Sequence, residues 1–265
     1  MAAYAKAKIG IIGGTGVCSE DMLEGAKKLE IRTPYGRPSS KITVGSFKGE
    51  KLAFLFRHGE SHSIPPHRVN YHANVYALKM LGVERVIGIA AVGSLNEKMK
   101  PGDIVIPHQF IDMTKLRPTT FYDGPKVVHV SLADPFCSEM RPAAFSAIEN
   151  LRLRCHKNGT YICIEGPRFS TRAESNLWRA MKADIIGMTL IPEVTLAREK
   201  EMCYLTIATV TDYDCWKEGA VSAEEVTSTM KRSTENVKRI LDELILKFPK
   251  IRNCACKSAL HDAEI

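Results

Sequence analysis

Tyr204-Leu205-Thr206-Ile207-Ala208-Thr209-Val210 runs directly into Thr211-Asp212-Tyr213-Asp214. The first stretch is apolar or β-branched without alternation, the pattern of a strand buried on both faces. In an extended segment, carboxylates at i and i+2 project the same way. Asp212 and Asp214 are therefore expected to act together at the strand's end. In the crevice of an open α/β sheet they would grip a base by its hydrogen-bonding edge. A carboxyl facing a purine N7 would also supply the proton that makes the base a better leaving group. Taken alone, the same residues equally suit a turn and a helix cap.

Similar apolar, β-branched runs recur at 9–12, 52–56, 86–90, 104–106, 161–164 and 185–188, and helical patterns separate several of them. Asn70 opens one helix that Gly82 closes as a C′ residue. Thr171-Arg172-Ala173-Glu174 is a capping box ahead of the helix carrying Trp178. Pro192 suits the first turn of a helix that runs to Glu201. Ser222-Ala223-Glu224-Glu225 is a second capping box, opening a long helix to about Phe248 whose apolar positions follow helical spacing. Strands alternating with helices predict a single α/β domain with a largely buried sheet. No linker, internal repeat or low-complexity tract divides it, and a polar tail follows from Asn253.

A chain of 265 residues with 45% hydrophobic and 25% charged content is an ordinary globular composition. The net charge of +7 is spread along the chain and mixed with acids, without a basic block interleaved with aromatics. That argues against a nucleic-acid footprint and suits an anionic small substrate. No apolar run approaches the roughly 20 residues that span a bilayer. The first residues lack a secretion signal, so the expected location is cytoplasmic. Eight cysteines are many for that compartment. They read as small buried hydrophobes, or as disulfides if the source is a hyperthermophile.

Several turns after strands carry possible chemistry. Gly13-Gly14-Thr15-Gly16 lets backbone approach an anion and adds a hydroxyl, yet fits neither a dinucleotide fingerprint nor a Walker loop. Arg57-His58-Gly59 places a planar guanidinium fork at a strand end, suited to phosphate or carboxylate. His62 and His67 follow in a Pro-containing loop without a compact zinc pattern. Ala91-Val92-Gly93-Ser94 is either an oxyanion turn or simple chain reversal. In Glu165-Gly166-Pro167-Arg168-Phe169-Ser170, Phe169 is either a stacking surface for a base or a core aromatic. Cys254-Ala255-Cys256, with His261 and Asp262 behind it, leaves open a metal site, a strained short disulfide loop and free thiols.

Together and in this order, these segments resemble the methylthioadenosine phosphorylase branch of the trimeric purine nucleoside phosphorylases. The likeness rests on the Ile9 to Gly16 strand and loop, Arg57-His58-Gly59, Gly102-Asp103-Ile104-Val105, Phe110-Ile111-Asp112 and Glu165 to Ser170. Met188-Thr189, Pro192-Glu193 and Thr211 to Trp216 complete it, and the Cys pair near the C-terminus is similar to archaeal members. It implies a phosphorylase/hydrolase-like fold, a central mixed sheet flanked by helices, over 1–248, with a tail at 249–265. It further implies a pentosyltransferase of purine and methionine salvage. Such an enzyme cleaves 5′-methylthioadenosine with phosphate to adenine and 5-methylthioribose 1-phosphate, with adenosine and other purine nucleosides as further substrates.

By that resemblance Thr15, Arg57, His58, the Ala90 and Ala91 backbone and Thr189 hold phosphate. Met188 meets the ribose, while Phe169, Ser170, Asp212, Tyr213 and Asp214 enclose adenine, with Asp212 giving N7 its proton. Ala223, Val226 and Thr227 line the 5′ pocket, and His129 reaches the pocket of a neighbour in a homotrimer or a dimer of trimers. Phosphate is a co-substrate; no metal or other cofactor is implied. A Cys137–Cys203 disulfide is implied by likeness to members with tail cysteines. There are departures. Ala90 replaces a Thr or Ser hydroxyl, and Glu60 falls where relatives carry a neutral or basic residue. Ala223 and Thr227 replace bulkier aliphatics of the human-type branch, which suggests a roomier 5′ end. The alternatives are a broad purine nucleoside phosphorylase, although inosine and guanosine specialists show Glu and Asn where this chain has its Asp pair, and a non-catalytic nucleoside-binding protein.

Overall fold

The computed structural model describes residues 6–14, 22–217 and 223–264. All of the buried runs become strands of one eleven-stranded mixed sheet. They are β1 (Ile9–Gly13), β4 (Glu50–Phe56), β5 (Arg85–Ser94), β6 (Ile104–Val105), β9 (Thr160–Ile164), β10 (Ile185–Gly187) and β11 (Cys203–Asp212). The sequence reading did not find β2 (Glu24–Leu29), β3 (Ile42–Phe47), β7 (Gln109–Met113) or β8 (Cys155–His156). β2 is polar and mostly exposed at the end of the strand order, where lysines are usual and an apolar pattern is not required.

β5 and β11 form the centre of the sheet. They pair in parallel from Arg85 opposite Cys203 to Gly93 opposite Asp212, with a bulge between Val210 and Asp212. Since β11 occupies one edge of β5 along this length, the other edge is shared. β1 pairs with residues 85–88 and β10, antiparallel, with Gly93 and Ser94. Between them the backbone of Ile89 to Val92 has no strand partner on that edge. The sheet forks there, and the crevice opens at the fork.

Helices cover both faces. α1 (Tyr71–Met80) and α4 (Leu190–Glu199) bury Val75, Leu78, Val194 and Leu196 in one core. α2 (Met140–Asn150) and α5 (Ala223–Leu244) bury Ala144, Ile148, Val237, Ile240 and Leu241 in the other. The local signals hold where they are described. Asn70 Oδ1 accepts from the Ala73 amide at 3.0 Å, and Gly82 takes φ +82° after the helix. α3 (Arg172–Ala180) has both halves of the Thr171–Glu174 capping box, a cap contributing about 1 kcal/mol. α4 is kinked at Ile191 (φ −99°, ψ 132°), so its regular part starts at Pro192. The Ser222 end of the second capping box lies outside the described residues.

The segment after α5 is not a loose tail. Arg85 donates to Pro249 O, Arg252 to Glu201 O, and the Asn253 amide to Glu139. Cys254 and Cys256 are buried. No described helix is long and apolar enough to cross a membrane.

Candidate active site

The fork opens into a cavity of about 630 Å³. Its floor is β5 from Ile89 to Gly93, and its rims are the ends of β1, β4, β9, β10 and β11 with one face of α5. Strand ends therefore deliver the side chains, as expected for ligands at the carboxyl edge of an α/β sheet. Among the expected residues, Arg57, His58, Ala90, Ala91, Phe169, Ser170, Met188, Thr189, Asp212, Asp214, Val226 and Thr227 all line this cavity.

Arg57 follows β4 and is almost wholly buried. Its Nε donates to Glu193 Oε1 at 2.5 Å and its Nη2 to Glu193 Oε2 at 3.0 Å. Nη1 donates to Ile89 O at 2.8 Å and Nη2 also to Ile12 O at 3.3 Å. A guanidinium has five N–H donors, so this side chain keeps one for a ligand. The open fork expected from the sequence is instead spent on Glu193. Burial opposes the charge, but Glu193 outweighs it and holds the Arg57 pKa above its ordinary value. Tyr204 completes the clamp, its hydroxyl donating to Glu193 Oε2 at 2.7 Å.

His58 titrates at about 4, pushed down by burial and then by the Arg57 charge. It is neutral near pH 7. Its Nδ1 lies 2.8 Å from Ile64 O. A carbonyl only accepts, so Nδ1 carries the proton and Nε2 presents a lone pair.

At the opposite end, the two aspartates meet by a different route from that expected. Asp212 is the last residue of β11, but Asp214 lies in a turn at φ +51°, so alternation along a strand does not align them. Instead the Asp214 amide donates to Asp212 Oδ1 at 2.7 Å, and Thr211 Oγ1 donates to Asp212 Oδ2 at 2.7 Å. Burial, and then the charge of Asp212, raises the Asp214 pKa. Asp214 Oδ2 and Ser170 Oγ are buried without a hydrogen-bond partner among the described residues. Buried polar atoms are rarely left so, and both residues line the cavity. Phe169, 39% exposed, lines the same cavity and offers a flat apolar surface.

The remaining expected residues lie elsewhere or outside the described residues. Tyr213 is outside the cavity lining, edge-on to Trp216 with Lys217 over its ring. His129 is exposed, away from the cavity of its own chain, with its amide bonded to Ala263 O. Glu60 points to solvent, 4.0 Å from Lys28, so it does not oppose an anion in the cavity. Thr15 lies outside the described residues, as does the side chain of Ala223. The described cysteines are all free, and no bridge joins Cys137 to Cys203. His261 pairs with Asp262 at the surface and not with the tail cysteines.

Arg117 is the functional residue the sequence concealed. It is buried, and its guanidinium donates to Met188 O at 2.8 Å, Ile191 O at 2.5 Å and Glu165 O at 2.6 Å, while its Nε holds Glu165 Oε1 at 3.0 Å. One side chain thus fixes the three segments that carry Met188, Phe169 and Glu193. It sits in Leu116-Arg117-Pro118, which matches no motif. Its one sequence signal is the acidic Glu165 at the head of the Phe169 loop.

Comparison with known proteins agrees with this architecture. The sequence model of the phosphorylase superfamily matches residues 8–246. An S-methyl-5′-thioadenosine phosphorylase of Thermofilum pendens is 60% identical, over 98% of this chain and 99% of its own. Among solved structures, a methylthioadenosine phosphorylase from an antarctic soil metagenomic library superposes with a TM-score of 0.94 at 44% identity, covering 99% of this chain and 93% of the other. The Schistosoma mansoni methylthioadenosine phosphorylase in complex with adenine gives 0.87 at 39% identity, over 91% of each chain. With a matching sequence over its length, a matching sheet and a crevice at the fork, the chain belongs to the phosphorylase superfamily and, within it, to the family of S-methyl-5′-thioadenosine phosphorylases.

Proposed function

We propose that this chain cleaves 5′-methylthioadenosine with inorganic phosphate. A phosphate oxygen bonds to C1′ of the ribose as the C1′–N9 bond breaks. Adenine leaves with a proton on N7, and 5-methylthioribose 1-phosphate remains. The observation that carries this reading is the division of one cavity. Arg57, His58 and Thr189 line one end and the Asp212–Asp214 pair with Phe169 the other, joined by the floor of β5.

Positive charge develops on the ribose as the bond breaks, and an anion beneath the ring stabilises it. The single spare N–H of Arg57 and the amides beside Ala90 and Ala91 orient that anion. Because Glu193 balances the Arg57 charge, the phosphate is not over-neutralised and keeps its stabilising charge. The Nε2 lone pair of His58 suits a phosphate that still carries a proton. At the base end, the proton comes from the carboxyl pair. The resemblance gives the transfer to Asp212, and the raised pKa of Asp214 means that this carboxyl holds a proton more readily than a free aspartate does. Val226 and Thr227 of α5 border the 5′ group, and the short Thr227 side chain leaves room for the hydroxyl of adenosine.

The exposed position of His129, away from its own cavity, supports its service to a neighbour's 5′ pocket, and hence a homotrimer or a dimer of trimers in the cytoplasm. The test is a set of initial rates on methylthioadenosine, adenosine, inosine and guanosine, with and without phosphate. Phosphate-dependent adenine release, fastest from methylthioadenosine, is expected. Release independent of phosphate would point to hydrolysis, and no release to a binding protein.

A further inference from the structure

Two tyrosines approach the anion end of the cavity in the same way. On β11, Tyr204 pairs with Val86 of β5, and its phenol lies over Gly88, two residues further along. On β9, Tyr161 pairs with Ile185 of β10, and its phenol lies over Gly187, again two residues on. Both pairs are parallel, so each side chain leans forward across its neighbour. A Cβ would collide at either position, 3.0 Å from Tyr204 Cζ at Gly88 and 2.7 Å from Tyr161 Cζ at Gly187, with the hydroxyls nearer still. Tyr204 donates to Glu193, the partner of Arg57. The Tyr161 hydroxyl is fully buried and has no hydrogen-bond partner among the described residues.

We propose that Tyr161 is a positioning residue of the phosphate site: in the phosphate complex its phenol donates to Thr189 Oγ1 and so aims the Thr189 proton at a phosphate oxygen. This role rests on the phosphorolytic reading of the site. The first support is the unpartnered oxygen. Buried polar atoms are rarely left so, and a phenylalanine would fill the same space without burying one. Burial, and then Cys163, raise the Tyr161 pKa, so the phenol keeps its proton and remains a donor. The Thr189 side chain and backbone act the other way, ahead of the Arg57 charge, which sets Thr189 beside this oxygen.

The second support is Thr189 itself. It occupies the N-cap of α4, where a threonine hydroxyl usually accepts from the helix backbone, yet its side chain makes no such bond. The residue lines the cavity instead. A hydroxyl has one proton and two lone pairs, and the proton rotates to suit its surroundings. The two groups stand side by side without hydrogen-bond geometry, so the bond closes as Thr189 turns to the anion. With a donor behind it, the Thr189 oxygen accepts from Tyr161 and its own proton points forward. Hydrogen bonds in such a chain polarise one another, which strengthens the last of them. The two tyrosines thus serve two side-chain donors: Tyr204 fixes Arg57 through Glu193, and Tyr161 fixes Thr189.

The test begins with phosphate-dependent release of adenine by the unaltered chain; its absence would sink the phosphorolytic reading, and this role with it. Given that activity, Tyr161→Phe removes only the oxygen. It should raise the phosphate KM about 3- to 10-fold, the effect of one neutral hydrogen bond, and leave the methylthioadenosine KM nearly unchanged. Because that oxygen has no partner in the fold, the variant should melt no lower than the unaltered chain. In a Thr189→Val background, which lacks the acceptor, Tyr161→Phe should add no further rise. Thr189→Ser keeps the hydroxyl and should keep the sensitivity to Tyr161→Phe. An unchanged phosphate KM in Tyr161→Phe would overturn the role while phosphorolysis stands. So would a lower Tm with equal rises in both KM values, the mark of packing alone. Effects that multiply in the double variant would do the same, since they would show two independent groups.

Discussion

Gly93 and Asp212 are fitted to each other: a Cβ on Gly93 would lie 2.9 Å from Asp212 Oδ1 and 3.0 Å from Ile186 Cγ2. The two are also register partners beyond the bulge in β11. The missing methyl group is what lets the carboxylate lie against the sheet. Gly93→Ala should push Asp212 by a few tenths of an ångström or more and cut kcat/KM by up to about 10²-fold, as displaced catalytic groups do. Kinetics on methylthioadenosine check it; unchanged values would mean that the pair tolerates displacement.

Asp212→Asn should reduce turnover of methylthioadenosine by about 10²–10⁴-fold, the range for a lost general acid. An amide still donates a hydrogen bond to N7 and also towards O6 of a 6-oxopurine. The ratio of inosine to methylthioadenosine activity should therefore rise. Asp214→Asn, for which an orienting role alone would give a mild loss, should be nearly as damaging, because burial and the Asp212 charge favour the protonated form of Asp214. It should also remove the alkaline fall in kcat/KM that accompanies ionisation of that carboxyl. Near-normal rates for both variants would place the proton source elsewhere.

The same carboxyl makes a statement about stability. The Asp214 pKa is raised in the folded state, so folding favours its protonated form. Its favourable contribution is complete below the unfolded pKa of about 3.9 and declines as pH rises towards the folded value. Asp214→Asn should then raise Tm near neutral pH, with little gain below about pH 3.9. Thermal melts across pH measure this, and a uniform loss of Tm in the variant would contradict it.

Ala90→Thr restores a hydroxyl at the cavity floor. One hydrogen bond to a charged group contributes about 1.5–3 kcal/mol, so the phosphate KM should fall roughly 10- to 100-fold. Arg57→Ala should move it the other way and further. An unchanged KM in Ala90→Thr would mean that another group already fills the position.

Glu193 is wholly buried between Arg57 and Tyr204. Glu193→Ala leaves a guanidinium buried without its counter-charge, a loss of about 3–5 kcal/mol. Denaturant unfolding should show it, together with a higher phosphate KM because Arg57 is no longer aimed. Tyr204→Phe should be milder, removing only one hydrogen bond. If Glu193→Ala unfolded like the unaltered chain, the guanidinium would have found another partner.

What the sequence made legible followed from local chemistry. The buried strands showed as unbroken β-branched runs, α3 as a capping box, and one wall of the cavity as Arg57-His58 after a strand. What stayed hidden depended on contacts between distant segments. Nothing near Arg57 announces that Glu193, far along the chain, takes two of its five donors. Arg117 acts through backbone carbonyls, which leave no mark on residue identity. The aspartates were grouped correctly, yet by a turn at Asp214 rather than by strand alternation. The tail has no periodicity because short irregular turns, not a helix, carry its buried sulfurs.

The fork at β5 separates what must be kept from what is free to vary. Its floor is main chain, shaped by where β1 and β10 leave the shared edge, and no single side chain defines it. Above that floor the cavity is lined by side chains carried on other elements: Phe169 and Ser170 on one loop, Val226 and Thr227 on α5. Repertoire and chassis are thus encoded in different stretches of the gene. A library confined to those positions would sample new nucleosides while leaving the anion end and the sheet beneath it untouched.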